Sequence, residues 1–241
     1  MSTETKNFFN IEEKYDHTLV IRDDKQVKLR KWKVKDRKNF KKLIEEKAEN
    51  ITPFELAAVL VFPCLEDKNI LLSEEEIKYV LTELRSISIS SDFNFTFMCQ
   101  NEECSEMNTI KLDLKDVSKP VSSPWSAVTI DDIEIEFGEK CAPKFYYEKM
   151  YGAKTPEDRT LTDLALHIVR VGEYDGVIKF EEMMSQFEEM DTDFQDAIMS
   201  EYKKQKFTQD NLYECTCQKC GSKQTFIFDE IPDFLPKSWL E

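Results

Sequence analysis

The chain has 241 residues, 41% of them hydrophobic and only five of them glycine, with no repeat or low-complexity tract, which excludes a fibre or a disordered polymer. Its net charge of −15 repels a phosphate backbone and argues against a nucleic-acid partner. The N-terminus MSTETKNFFNIEEKYD lacks the apolar core of a secretion signal, and no 18-residue apolar run occurs, so the expected setting is cytoplasmic with no membrane partner.

In chain order, TLVIR, a DDK turn and QVKLRKW alternate as a β-hairpin. From Lys35 the period lengthens, and Phe40, Leu43, Ile44 and Lys47 share one helical face. A second helix opens at Thr52-Pro53 and continues as FELAAVLVF, apolar nearly all round and so expected to be buried. Ser73 with Glu76 forms a capping box ahead of a third helix whose inward stripe is Ile77, Val80, Leu81 and Leu84. Residues 1–90 thus read as a hairpin and helical lobe.

FNFTFM alternates into Cys99, and NTIKLDL alternates out again beyond CQNEEC, giving a second hairpin with cysteines at its tip. VSKPVSSPW has the composition of a connection, and SAVTI, a DD turn and IEIEF give a third hairpin. Residues 140–160 show no clear period. LTDLALHIVRV, FEEMMSQF and DFQDAIMSEYKKQ read as three acidic helices, and LYECTCQKCGSKQTFIF closes as strand, knuckle, strand. The fold class expected is α+β, with residues 91–241 a zinc-ribbon lobe interrupted by an inserted hairpin and helices at about 125–210.

Seven cysteines in a cytoplasmic chain point to metal ligands or buried thiols rather than disulfides. Zn²⁺ takes four thiolates in a tetrahedron, and two short turns can each aim two of them at one point. Cys99 with Cys104 and Cys217 with Cys220 supply such a set, and Gly221 lets the second turn adopt the left-handed conformation that returns the chain to its strand. Two alternatives stay open: reduced thiols at surface turns without metal, and a variant in which Cys215, two strand residues before Cys217, replaces one ligand. A four-thiolate site has no open position, so its role is structural. His17 and His167 are weaker ligand candidates, and Cys64 and Cys141 read as buried or incidental thiols.

No phosphate loop, nucleophile elbow, metalloprotease helix or kinase signature occurs, and histidines are scarce, so no enzyme is nominated. Basic residues concentrate between Lys25 and Lys42. This strip, including Lys25, Lys28, Arg30, Lys31 and Lys33, is either a solvated strand edge and helix face or a docking patch for an acidic partner. As an alternative function it would serve a zinc-ribbon regulator that binds nucleic acid. Near the C-terminus Phe234, Leu235 and Trp239 are either a partner anchor or core packing against the ribbon.

The order of these motifs resembles the baseplate hub assembly proteins of T4-like tailed bacteriophages. The resemblance runs through VKLRKWKVKDRKNF, LTELRSIS, FTFMCQNEEC, IKLDL, HIVRVGEYDGVIKF, YECTCQKCGSKQTFIF and IPDFLPKSW. The chain departs from the family pattern in its four-residue spacing between Cys99 and Cys104 and in the extra Cys215. The resemblance implies a non-enzymatic factor that works in the host cytoplasm during baseplate assembly, as a chaperone or as a component retained in the virion tail. Its partners would be other hub or tail proteins.

Overall fold

A computed structural model describes residues 13–23, 25–47, 51, 53–139, 141–174, 176–228, 235 and 239. Strands β1 (His17–Arg22) and β2 (Lys25–Leu29) pair antiparallel with Leu19 opposite Val27, which turns Leu19, Ile21, Val27 and Leu29 to one buried face. Helix α1 (Val34–Lys47), α2 (Pro53–Leu60) and α3 (Glu74–Ser88) complete the first lobe, with a short 3₁₀ turn at Phe62–Cys64. The capping box that starts α3 is complete: the Ser73 hydroxyl accepts from the Glu76 amide, and the Glu76 carboxylate accepts from the Ser73 amide. The stripe Ile77, Val80, Leu81 and Leu84 is fully buried. In α2, Leu56, Ala57 and Leu60 are buried, whereas Ala58 faces solvent.

Next come β3 (Asp92–Met98) and β4 (Met107–Asp113), paired residue for residue, then the single turn α4 (Leu114–Val117), capped by Asp113. The stretch expected to be a bare connection contains β5 (Lys119–Val121). It is brief because Pro120 has no amide to donate to the ladder.

The insert begins with β6 (Ala127–Ile130) and β7 (Ile133–Phe137), joined through Asp131 and Asp132 at φ 46° and 65°, the two left-handed residues of a tight hairpin turn. Residues 140–160 hold α5 (Pro143–Gly152) and the start of α6 (Pro156–His167), the latter opened by a Thr155 and Asp158 capping box. The expected helix LTDLALHIVRV is corrected here: α6 stops at His167, and Ile168–Val171 forms strand β8 on the edge of β7. The run Ile-Val-Arg-Val suits a strand, and β7 offers it backbone partners that a helical turn would forgo. Helices α7 (Phe180–Glu189) and α8 (Thr192–Gln205) pack Met183, Phe187, Ile198 and Tyr202 against Ile135, Phe137 and Leu164.

The chain returns through β9 (Thr208–Asp210), which pairs with β5, into β10 (Leu212–Thr216) and β11 (Lys223–Ile227). This last hairpin does not extend the sheet of β3 and β4; it faces it. Phe95 stands edge-on to Phe226 and Phe228 at 5.0 and 4.9 Å between ring centres, and Leu112, Leu114 and Val117 close the small core. The first lobe's core also reaches past residue 90, taking in Tyr146, Met150, Leu166 and Phe207. Leu235 and Trp239 join that core rather than the ribbon, with Trp239 4.7 Å from Trp32 and 6.1 Å from Phe40.

Candidate metal centre

The two facing hairpins bring their tips together. In the second tip, the Cys217 amide donates to Ser222 O at 2.8 Å, the Gly221 amide donates to Cys217 O at 2.9 Å, and Gly221 takes φ 73°. The first tip repeats this plan with two extra residues. Cys99 N–H donates to Glu106 O at 2.8 Å, while the Ser105 amide donates to Asn101 O at 3.1 Å with Ser105 at φ 44°. Asn101 thus holds the turn position that Cys217 holds opposite, and the four-residue spacing of Cys99 and Cys104 leaves the turn itself unchanged.

The four Sγ atoms of Cys99, Cys104, Cys217 and Cys220 lie within 4.8 Å of one another. Cys99 Sγ is 3.6 Å from Cys220 Sγ, and Cys104 Sγ is 3.8 Å from Cys217 Sγ. A tetrahedral ion with metal–sulfur bonds of about 2.3 Å spaces its sulfurs by about 3.8 Å, so the set fits a thiophilic tetrahedral cation. All seven cysteines are free thiols.

Two buried amides support the sulfurs. Asn108 Nδ2 points at Cys217 Sγ at 3.5 Å while its Oδ1 accepts from the Gln218 amide at 2.9 Å, and Gln224 Nε2 donates to Cys99 Sγ at 3.3 Å. Such donors orient ligands and spread thiolate charge. The Cys220 amide, with help from the Lys219 amide and Asn108, lowers the Cys217 thiol to about 6. The Glu106 amide acts in the same direction on Cys104, but burial and the neighbouring sulfurs outweigh it and push that thiol up to about 12.

Other candidates lie elsewhere. Cys215 is buried in β10 outside the cluster, and its burial raises its thiol. Cys64 sits beside Asp36 in the first core, where burial pushes it up to about 12, and Cys141 is pushed up to about 11 for the same reason. His17 meets Glu83 at 2.8 Å. His167 belongs to a buried polar group that the sequence analysis did not anticipate: Asp163 accepts from Tyr146 at 2.7 Å and Tyr202 at 2.9 Å and pairs with Lys206, while His167 Nδ1 lies 3.2 Å from the Tyr202 hydroxyl. No spacing signals this group, because its members come from α5, α6, α8 and the turn after α8.

The basic strip is split between residues turned inward and residues left on the surface. Lys25 bridges Glu76 and Glu139, both at 2.7 Å, and buried Arg30 binds Asp36 at 2.7 Å. Lys33 pairs with Glu13 at 2.7 Å and Lys28 with Glu66 at 3.2 Å, and Lys28, Lys31, Lys35, Lys38 and Lys42 are exposed. Phe234 lies outside the described residues, and Trp239 faces the first core.

Fold and site together define an α+β protein in which two cysteine-tipped hairpins close a four-thiol cluster around an inserted α/β segment. The chain belongs to the T4 bacteriophage base plate protein family, whose family model matches residues 13–236. No curated protein and no solved structure matches the chain. Among the described residues no helix is long and apolar enough to cross a membrane.

Proposed function

We propose that this chain is a non-enzymatic baseplate hub assembly factor or component, acting through protein–protein contacts, with a structural Zn²⁺ on Cys99, Cys104, Cys217 and Cys220. Membership of the base plate family across residues 13–236 carries the assembly reading. Its partners are other hub or tail proteins, met in the host cytoplasm while the baseplate forms.

The near-tetrahedral sulfur spacing and the two supporting amides favour the zinc. Four thiolates fill its coordination, so the ion would hold the hairpins and leave no position for substrate or water. Binding would replace thiol protons by the cation, which couples metal affinity to pH and to folding. The nucleic-acid alternative through the basic strip 25–42 draws less support, because the chain carries a net charge of −15 and Lys25, Lys28, Arg30 and Lys33 each already meet a carboxylate.

The assembly reading is tested by deleting the gene from its phage and complementing it in trans. Loss of complete baseplates, restored by the plasmid copy, together with recovery of the tagged chain bound to hub proteins, is expected. Normal baseplates and unchanged plaque yield in the deletion would overturn it.

A further inference from the structure

The insert contains an apolar trough between β7–β8 and helices α7–α8. Ile133 and Ile135 of β7, Met183 and Phe187 of α7, and Met190 and Phe194 line a cavity of about 510 Å³. A second cavity of about 810 Å³ adjoins the first and shares Ile168, Tyr174 and Ile178 with it. Val177, in the lining of the second cavity, is 88% exposed.

Two features select the occupant. The first cavity has few polar side chains, mainly Glu182 and Gln186, whereas a small ligand is fixed by several converging polar groups. Carboxylates stand beside its lining residues in the chain: Asp131 and Asp132 precede Ile133, and Glu189, Asp191 and Asp193 neighbour Met190 and Phe194. All five are exposed, and among the described residues none has a basic partner. Arg170 and Lys179, at the neighbouring cavity, do not offset them, because Glu134, Glu136 and Glu182 already neutralise both.

We propose that this trough binds a basic amphipathic helix of a partner protein, its apolar face on the methionine and phenylalanine side chains and its lysines or arginines at the five exposed carboxylates. An apolar groove suits the one-sided stripe of such a helix, and methionines adapt their shape to what they meet. A second copy of this chain is a poor occupant, since a symmetric contact would bring one acidic group against another. The proposal rests on reading the chain as a protein-binding factor and names the chemistry of what it binds.

The test uses the full chain and two labelled synthetic peptides of about 18 residues, one with a leucine stripe and lysines elsewhere, the other with glutamates replacing the lysines. Fluorescence anisotropy should show the lysine peptide binding at least roughly tenfold more tightly than the glutamate one. The pair Ile133→Asn with Met190→Asn, and separately the exposed acidic pair Glu189→Lys with Asp193→Lys, should each weaken lysine-peptide binding by roughly tenfold with the circular dichroism spectrum unchanged. The control pair Glu148→Lys with Glu157→Lys, which lines neither cavity, should leave binding unchanged. An equal loss in the control would reduce the effect to bulk charge and overturn the proposal. So would a dimer of the free chain that the Ile133→Asn and Met190→Asn changes dissolve, because the trough would then be its own interface. Normal baseplates in a deletion phage would remove the assembly role and leave the peptide result standing, so the two failures are distinguishable.

Discussion

Ser105 and Gly221 occupy the same backbone position, one residue past the second cysteine of each tip, and both take positive φ. A glycine there is unstrained, whereas a side chain costs about 1 kcal/mol. No atom lies within 4 Å of the Cβ that Gly221→Ala would add, so conformation alone sets the penalty. Gly221→Ala is expected to lower stability by about 1 kcal/mol and Ser105→Gly to raise it by about 0.5 kcal/mol, read by urea unfolding. The deeper residue-scale effect belongs to Asp163. Burial raises its carboxyl, but Lys206 and then His167, with the bonds from Lys206 and Tyr146, outweigh that and hold it below the ordinary carboxylate value. Asp163→Asn should cost about 3 kcal/mol at neutral pH. Because the folded value is depressed, this contribution is complete above the unfolded value and is lost as pH falls through the folded one, so the gap between wild type and variant should close in acid. The cysteines and Gly221 are legible in the sequence because spacing reports them. Asn108, Gln224 and Asp163 are not, since register and packing between distant segments bring them to their partners.

At the scale of elements, α3 shows why local signals succeed. Its cap and its apolar period both lie within one short stretch, and both form as the sequence predicts. Leu81 is fully buried among the first core, so Leu81→Ala should cost about 2–5 kcal/mol, whereas Ser73→Ala should cost about 1 kcal/mol by removing the cap alone. A denaturation pair that reversed this order would contradict the assignment of α3 to the core. Strand β8 shows why local signals fail. His167 ends a helix and Ile168 begins a strand with no proline or glycine between them, and the switch is made by the free edge of β7. Strand β5 was hidden for a related reason: its partner β9 is contributed by the far side of the insert.

Across the molecule, the three cores seen among the described residues are joined by a few polar ties. Buried Arg22 donates to Ser123 O and Gln205 O at 3.0 Å and to Glu76 at 3.4 Å, which fastens the first hairpin to both ends of the insert. The cysteine cluster brings Cys99 and Cys104 against Cys217 and Cys220 across that insert. A cation there would shorten a long loop and contribute its binding energy to folding. The α+β class and the two knuckles were readable in advance, but how the tail packs was not, because Trp239 finds Trp32 and Phe40 across nearly the whole sequence.

The central claim, a structural zinc at this cluster, is tested most directly by elemental analysis of the purified chain beside Cys217→Ser. One zinc per wild-type chain, its loss in the variant, and a thermal midpoint lowered in the variant and in chelator-treated wild type are expected. A well-folded wild type that carries no zinc, and that neither chelator nor Cys217→Ser destabilises, would contradict it.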